Sequence, residues 1–385
     1  MNTLKKLFLI FTIIVGLVCL LLLIMTFQNS SQPSIKSYKV TTYFPVKSDT
    51  KPKRVLMYTT WFGISPWPGV KANSYFSDGN GNLCPVSNCV FTYDKEELEN
   101  SDAVIFHARD IPSIETMRTI SLNKNRLKQR WIYYSHESPY YILHDPTAYN
   151  YFFNWTMTYR YKSDIFMPYR YYRKITPEER MKVIQGVNYA QAKDKLIAWS
   201  VSNCGRIRDK IVNKLLKYVK ISISGKCSKK FNQNYKCKRS SRQCEVDYKK
   251  SKFYLAFENS MCLDYVTEKY WSAPFINNMV PIVLGSNYDE KVAIPGSFIN
   301  ALDFPSIKAL ASYIQFLDKN DTAYNEYFKW KSKYTFDESF SSDCQLCAML
   351  HNDSLPVKIY KNLDIFWGRS TCNQRAEDIK RLLKD

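Results

Sequence analysis

The chain has 385 residues, 45% of them hydrophobic and 15% aromatic, and its 55 lysines and arginines exceed its 35 acidic residues to give a net charge of +20. This apolar content excludes a disordered chain, and the length is sufficient for two domains. The excess positive charge favours an anionic partner, such as a nucleotide-linked donor or an acidic glycan, although a generally basic surface has the same composition.

The first predicted element is an uncharged apolar run, residues 7–27, which follows Lys5 and Lys6. Its 21 residues are enough to span a bilayer as a helix, and no evident cleavage site follows it. Because the positive residues precede the run, residues 1–6 are expected to stay cytoplasmic and the rest of the chain to face the lumen. The sequence therefore predicts a single-pass type II membrane protein, and this topology excludes nucleic acid as the anionic partner.

Residues 28–52 are polar and lack a helical period, which is typical of a short stem. Beyond the stem, short apolar runs of strand length alternate with helical patterns. The predicted strands cover residues 54–60, 102–108, 130–136, 164–169, 195–202, 219–225, 252–260 and 279–286, with helices over residues 206–219 and from Tyr265 onward. This alternation predicts an α/β fold with two domains, residues 53–185 and 186–355, and a C-terminal segment, residues 356–385, that packs back on the first domain.

Cysteines and glycosylation sequons agree with a lumenal location. Of the 11 cysteines, Cys19 lies in the anchor and an even number remains, which permits disulfides throughout. A zinc site at Cys344 and Cys347 is a weaker alternative, because it needs a second ligand pair and a reducing compartment. The basic, Cys-rich residues 226–250 are predicted to form a disulfide-tied surface loop. The sequons for N-glycosylation are at Asn154, Asn320 and Asn352.

Common catalytic signatures are missing from the sequence, which contains no GxxxxGK, HExxH, GxSxG or D-x-D motif. A nucleotide-linked donor would therefore be held by a metal-free phosphate clamp, so no cofactor is required and no metal site is predicted; a stimulatory effect of a divalent cation stays open. Residues 200–208 supply such a clamp, with Arg206 and Arg208 at a helix start. Glu268 and Lys269 follow another strand and are expected at the same edge of a sheet.

The segment FYLAFENSMCLDYVTEKYW, residues 253–271, resembles the donor-binding motif of the α-1,3-fucosyltransferases of glycosyltransferase family 10. The resemblance extends to CPVSNC (84–89), WIYYSHESP (131–139), AWSVSNC (198–204) and VPIVLG (280–285), and it covers nearly the whole lumenal part in order. It implies two Rossmann-like domains that face each other across a cleft, an arrangement called GT-B. The second domain would bind GDP-fucose and the first would bind the acceptor. Residues 84–92 and the Cys-rich loop are similar to those of invertebrate members.

Carried over residue by residue, the resemblance implies that Arg206 and Lys269 hold the diphosphate and that Glu268 binds the ribose. Arg206 is favoured over Arg208 because it precedes the helix pattern, and Glu258 is interpreted as a structural carboxylate. The remaining donor-site residues that the resemblance implies are Ser202, Asn203, Tyr254, Asn259 and Tyr169. The resemblance also implies disulfides that join the pair Cys84 and Cys89 to the pair Cys344 and Cys347.

An inverting transfer needs one group that takes the proton from the acceptor hydroxyl, and Glu137 is the candidate general base. It lies at a strand end in the first domain. His136 is the rival base, but neighbouring strand residues point to opposite faces, so only one of the two is expected to face the cleft. Trp67 and Tyr140, in loops beside prolines, are the candidates for acceptor contact.

The predicted function is that of a Golgi α-1,3-fucosyltransferase that moves L-fucose from GDP-fucose to N-acetylglucosamine (GlcNAc) of a glycoprotein N-glycan. The alternatives are another nucleotide-sugar donor or linkage, or a catalytically inactive, membrane-tethered glycan-binding protein. The presence of Glu137, Arg206, Glu268 and Lys269 favours an active enzyme over the last of these. The core GlcNAc and the LacNAc or LacdiNAc antennae are both open as acceptors.

Overall fold

The computed structural model describes residues 51–184, 186–233, 246, 248–372 and 374–384, all within one compact unit. The predicted tail and anchor, residues 1–27, and the stem up to residue 50 lie outside these ranges. Within the described ranges, no helix is both long enough and apolar enough to cross a membrane.

Strands and helices alternate along the described chain, which confirms the predicted α/β class. The strands are β1 Lys53–Met57, β2 Cys89–Thr92, β3 Ala103–His107, β4 Arg130–Ser135, β5 Trp155–Thr158, β6 Ile165–Phe166, β7 Tyr172–Lys174, β8 Lys195–Ser200, β9 Ile221–Ser224, β10 Ser251–Phe257, β11 Val280–Leu284, β12 Ile299–Asn300 and β13 Tyr334–Phe336. The α-helices are Ile114–Ser121, Pro177–Met181, Ile207–Leu215, Glu268–Trp271, Ala273–Ile276, Ile307–Lys319, Asp321–Asn325, Ser342–Leu350, Leu363–Trp367 and Ala376–Leu382.

The described strands form two parallel sheets and one short antiparallel pair. The first sheet has the order β2-β1-β3-β4-β5-β6, the second has the order β12-β11-β10-β8-β9, and β7 pairs with β13. Strands β3, β10 and β11 are buried along their whole length, because parallel sheets are covered on both faces. That burial explains why these strands contain the continuous apolar runs 103–106, 253–257 and 280–284 rather than alternating patterns.

Each predicted strand corresponds to an observed one, but β2, β5 and the short strands β7, β12 and β13 were not predicted. The helix predicted from Tyr265 onward begins instead at Glu268, since the Thr267 hydroxyl caps it by accepting a hydrogen bond from the backbone N–H of Lys269. It is short: Ser272 leaves the helical conformation before a second helix begins with Pro274 near its start. The side chains between Phe257 and Glu268 therefore lie in a loop, called the donor loop below, residues 258–267.

The C-terminal segment packs on both sheets, which differs from the prediction that it packs on the first alone. Leu363 and Trp367 are fully buried in a core with side chains of the first sheet. Farther along the chain, Ile379 and Leu382 are buried in the core of the second sheet. The last residues therefore connect the two halves of the chain.

Two disulfides bind the helix Ser342–Leu350 to the first sheet, Cys84 to Cys344 and Cys89 to Cys347. This is the connection between the two pairs that the resemblance implies. The zinc alternative fails for these thiols, because all of them are oxidised in disulfides. Two further disulfides are Cys204–Cys227 and Cys262–Cys372. The predicted loop 226–250 is thus tied at its start to the turn after β8, while Cys237 and Cys244 lie outside the described residues.

Replacing Cys84, Cys89, Cys344 and Cys347 together by alanine is expected to lower the free energy of unfolding by about 5 kcal/mol or more, the chain-entropy estimate for so long a loop. All four are replaced because Cys89–Cys347 would keep the loop closed after loss of the Cys84–Cys344 bond. The bond spans 260 residues, whereas Cys204–Cys227 spans 23. The matched double alanine variant of the short loop is expected to lose about 3 kcal/mol. Chemical denaturation of both variants measures the difference, and a larger loss for the short loop would contradict this account.

Candidate active site

The second sheet reverses its winding between β8 and β10, because β9 lies on one side of β8 and β10 lies on the other. Ligands of open α/β sheets bind beyond the carboxyl ends of the strands at such a switch point. Most of the predicted donor residues follow these two strands. Those after β8 are Ser202, Asn203 and Arg206, and those after β10 are Asn259, Glu268 and Lys269.

The two arginines after β8 have different environments. Arg208 is only 3% exposed, and its guanidinium donates to the backbone carbonyls of Phe257 at 2.7 Å and Asn203 at 3.1 Å. It therefore ties the turn after β8 to the end of β10. Arg206 is exposed, its Nε lies 3.4 Å from Asn203 Oδ1, and its guanidinium lies over the ring of Tyr141. Of these two arginines, Arg206 is thus the one that a ligand at this edge can reach.

Lys269 is held among acidic and hydroxyl groups at the start of the helix Glu268–Trp271. Its Nζ lies 2.8 Å from Thr267 Oγ1 and 3.2 Å from a carboxylate oxygen of both Glu258 and Glu268. Burial would lower the pKa of Lys269, but the two carboxylates outweigh it and raise this pKa. Since the side chain of Glu258 is 0% exposed, its ion pair with Lys269 is internal, and Glu258 fixes the position of the cation.

Glu137 lies just beyond β4 and reaches the second half of the chain. Its Oε2 accepts a hydrogen bond from the hydroxyl of Tyr265, in the donor loop, at 3.3 Å. Burial raises the pKa of Glu137, while this hydrogen bond and the charge of Lys269 oppose the increase. The candidate base of the first sheet and the candidate cation of the second therefore belong to one electrostatic cluster.

His136 is directed differently from Glu137. Its ring stacks on that of Tyr169, with centroids 4.0 Å apart, and the Tyr169 hydroxyl donates to the His136 carbonyl at 2.6 Å. Burial lowers the pKa of His136 to about 4, so the imidazole is neutral and only weakly basic near neutral pH. These contacts place Tyr169 against His136, the neighbour of Glu137. The stacking and the low pKa of His136 favour the Glu137 carboxylate as the base.

Direct contacts join the carboxyl edges of the two sheets around this cluster. The Ser138 and Ser260 hydroxyls are 2.9 Å apart, and Asn203 Nδ2 donates to the Tyr141 hydroxyl at 2.9 Å. Residues that follow β4 thus contact residues that follow both β8 and β10. The predicted catalytic and donor residues therefore line the same junction.

Asp264 holds the donor loop in place through its backbone and side chain. Its φ of 61° lies in the left-handed region, which aspartate tolerates better than most residues. The carboxylate accepts from Arg160 Nε at 3.3 Å and from Asn287 Nδ2 at 2.8 Å. Because Arg160 belongs to the first half and Asn287 to the second, this residue fixes the adjacent Tyr265 between them.

Other predicted residues lie around this junction with different exposure. Tyr254 is only 5% exposed within the second half, and Ser202 is exposed in the turn after β8. Asn259 Oδ1 is buried and has no hydrogen-bond partner within the described part of the chain, so it is available to a ligand. Tyr140 is 38% exposed, with the Arg369 guanidinium 5.9 Å from its ring centroid.

Trp67 is wrongly predicted as an acceptor contact. It is only 4% exposed, its indole N–H donates to the Thr59 carbonyl at 2.7 Å, and its ring contacts His107 and Tyr134. The neighbouring prolines shape a loop that folds inward, so this side chain belongs to the core of the first half.

Asn154 is wrongly predicted as a glycosylation site of the folded chain. It is 5% exposed, and its amide nitrogen, the atom that would carry the glycan, donates to the Lys358 carbonyl at 2.9 Å. Asn320 and Asn352 are partly exposed, and the side-chain oxygen of each accepts a local backbone N–H. Those two sequons remain predictions.

Two family models match the chain, "Fucosyltransferase, N-terminal" over residues 50–170 and "Glycosyltransferase family 10 (fucosyltransferase) C-term" over residues 190–366. The chain is 33% identical over 302 residues to alpha-(1,3)-fucosyltransferase fut-5 of Caenorhabditis elegans, covering 74% of this chain and 77% of the relative. The chain belongs to glycosyltransferase family 10, the fucosyltransferases. This confirms the resemblance found in the sequence.

Another family 10 relative is glycoprotein 3-alpha-L-fucosyltransferase A of Drosophila melanogaster, 35% identical over 349 residues. The match covers 87% of this chain and 64% of that relative's length. A solved structure described as alpha1,3-fucosyltransferase with GDP-fucose aligns with a TM-score of 0.50 at 15% identity, covering 82% of this chain and 95% of the solved one. This likeness supports the fold.

Sequence reasoning missed two contributors to this family 10 site. Tyr265 was treated as the beginning of a helix, although a tyrosine between charged residues of the motif was an available signal. Arg208 was considered only as a rival ligand for the diphosphate, whereas its hydrogen bonds are to backbone carbonyls. Glu258 forms an ion pair with Lys269, which agrees with its interpretation as a structural carboxylate.

Proposed function

We propose that this chain transfers L-fucose from GDP-fucose, in α-1,3 linkage and with inversion, to GlcNAc of glycoprotein N-glycans. The observation that carries the proposal is the contact of Glu137 with Tyr265, because it brings a base from the first sheet to the donor loop of the second. Membership of family 10 supports the donor and the reaction. In this proposal the two halves face each other in the GT-B manner.

The donor would bind at the β8/β10 switch point. Arg206 and Lys269 supply the positive charge for the diphosphate, and Glu268 accepts hydrogen bonds from the ribose. Asn259 offers to the same ligand its Oδ1, which has no partner among the described residues. The remaining residues proposed to line the donor site are Ser202, Asn203, Tyr254 and Tyr169.

The chemistry would be a single displacement. The acceptor 3-hydroxyl oxygen attacks C1 of fucose as the bond from C1 to the phosphate oxygen breaks, and Glu137 takes the hydroxyl proton. The electron pair of the broken bond leaves with the diphosphate, whose charge is stabilised by Lys269 and Arg206. The ion pair with Glu258 holds Lys269 in position before the reaction, which supports this role for Lys269.

The proposal requires no metal cofactor, and the test combines donor, acceptor and chelator. The full-length chain, purified in detergent, is expected to transfer fucose from GDP-fucose to released N-glycans and to remain active in millimolar EDTA. Mass spectrometry of the glycans measures the added deoxyhexose, and panels of core and antennal structures separate the two acceptor classes. Transfer from another nucleotide sugar instead of GDP-fucose would overturn the donor assignment. Strict dependence on an added divalent ion would overturn the metal-free clamp.

The proposal also includes a location, the Golgi membrane, with residues 7–27 as a type II anchor and the catalytic part in the lumen. The disulfides Cys84–Cys344, Cys89–Cys347, Cys204–Cys227 and Cys262–Cys372 support an oxidising compartment. A glycoprotein acceptor fits the same compartment, since both the enzyme and its substrate would meet there.

A further inference from the structure

The amino edge of the first sheet, the edge at which its strands begin, is used neither by the proposed donor site nor by the proposed base. All strand pairs of this sheet are parallel, so the segments that lead into the strands gather at this one edge. The predicted stem joins the described chain here, because β1 begins at Lys53. Glu137 lies at the opposite edge, beyond the carboxyl end of β4.

Five large apolar or aromatic side chains are exposed at the amino edge. They lie in the loop before β4, in the segment before β5, and in the C-terminal segment that packs beside it. Their exposed fractions run from 41% for Ile359 to 90% for Leu127. We call this set the amino-edge patch: Leu122, Leu127, Tyr151, Val357 and Ile359. Exposed apolar side chains that gather in this way mark a surface that binds a protein or a membrane.

Hydrogen bonds hold the three segments of the amino-edge patch together. The Arg126 guanidinium donates to Asn154 Oδ1 at 3.1 Å, and Asn154 Nδ2 donates to the Lys358 carbonyl at 2.9 Å. The backbone N–H of Tyr151 donates to the Tyr360 carbonyl at 2.8 Å. The patch is therefore one connected surface and not a set of independent loops.

The chemistry of the amino-edge patch suits a lipid surface. Aliphatic side chains enter the boundary between headgroups and acyl chains, whereas a tyrosine such as Tyr151 is favoured at the level of the headgroups. The exposed Lys128 and Lys361 follow Leu127 and Ile359 closely in the chain, and such long side chains reach the lipid phosphates. A protein partner is less suitable, because lysine is depleted from the centres of protein interfaces.

We propose that the amino-edge patch lies on the lumenal surface of the membrane that anchors the chain, in contact with phospholipid. The inference rests on the anchor at residues 7–27 in the proposed function, and it adds an orientation of the catalytic part. The six residues of β4 span about 20 Å between the patch and Glu137. The proposed active site is thus held away from the bilayer, on the side that glycoprotein acceptors approach.

The test measures whether lipid reaches the patch in the full-length chain, reconstituted into phosphatidylcholine vesicles. Leu127→Trp and Val357→Trp each add one fluorophore to the 8 tryptophans of the chain, on two different segments of the patch. In vesicles with brominated acyl chains, the emission added by each variant is expected to lose most of its intensity relative to vesicles of ordinary phosphatidylcholine. Leu143→Trp is the matched control, because Leu143 is 76% exposed but follows the carboxyl end of β4. Its added emission is expected to stay unchanged.

Each outcome decides a different statement. Unquenched emission at Leu127→Trp or Val357→Trp, or equal quenching at Leu143→Trp, overturns the membrane contact while the proposed fucosyl transfer stands. A wild-type chain that does not migrate with the vesicles in a density gradient overturns the anchor and this inference with it. Fucosyl transfer is assayed in the same vesicles, and its absence from the wild-type chain with quenching retained overturns the proposed reaction but supports the membrane contact.

Discussion

Glu137→Gln is expected to lower turnover by about 10²-fold or more while leaving the affinity for GDP almost unchanged. Glutamine keeps the size of the side chain and can still accept a hydrogen bond from Tyr265, but it cannot take a proton from the acceptor. Steady-state kinetics give the loss in kcat, and calorimetry gives the affinity for GDP. A variant that keeps near wild-type turnover would remove Glu137 from the mechanism.

The pH dependence of the wild-type chain tests the same residue. Burial raises the pKa of Glu137, and a general base acts only when it is deprotonated. The wild-type kcat is therefore expected to fall as the pH decreases through this raised pKa, at a pH above the usual range of a glutamate. No such acid limb is expected for the small residual activity of Glu137→Gln.

His136→Gln is the neighbouring control for the base. Its imidazole is stacked on Tyr169, and burial holds its pKa at about 4, so a mild effect on turnover is expected. If His136→Gln abolished turnover and Glu137→Gln did not, the base would be the histidine. The side chain that faces the cleft would then be that of His136 and not that of Glu137.

Lys269→Ala is expected to weaken donor binding and to lower the free energy of unfolding by about 3–5 kcal/mol, because it leaves a buried carboxylate without its partner. The carboxylate is that of Glu258, which is fully buried and lies 3.2 Å from Lys269 Nζ. Equilibrium denaturation measures the stability, and titration with GDP-fucose measures the binding. Lys329→Ala is the control, because Lys329 pairs with Glu326 at the surface and such pairs contribute at most about 1 kcal/mol.

The double variant Glu258→Gln with Lys269→Ala separates the two effects. A neutral glutamine removes the unpaired charge, so much of the lost stability is expected to return. Donor binding is expected to stay weak, since the cation for the diphosphate is still missing. Recovery of both properties together would show that Lys269 acts only as the structural partner of Glu258.

The sequence predicts the strands of this fold best where both faces are buried. Strands β3 and β10 contain the apolar runs 103–106 and 253–257, whose length and composition suffice. Strand β5 was missed because it contains Thr156 and Thr158, whose burial depends on hydrogen bonds with Asp164 and Ser163. Those partners are recognised only after the chain has folded.

The errors at individual sites have the same origin in long-range contacts. Asn154 satisfies every local rule for a glycosylation sequon, but its amide nitrogen donates a hydrogen bond to the carbonyl of Lys358, 204 residues farther along the chain. Trp67 lies in a loop between prolines that has the composition of a surface segment. Its indole is nevertheless buried, and the indole N–H donates a hydrogen bond to the Thr59 carbonyl. A motif identifies the type of chemistry, whereas exposure depends on partners that local sequence does not specify.

The spacing of the cysteines determines the order of events while the chain is being made. The disulfide partners of Cys84 and Cys89 lie 260 and 258 residues farther along the chain. At a synthesis rate of about 5–20 residues per second, the nascent chain carries both thiols for roughly 10–50 s before their partners exist. Any bond made earlier between the two has to be undone by thiol–disulfide exchange. The two disulfides of the first sheet therefore cannot form before residues 344–347 have been made, so its maturation depends on Cys84 and Cys89 staying reducible until then.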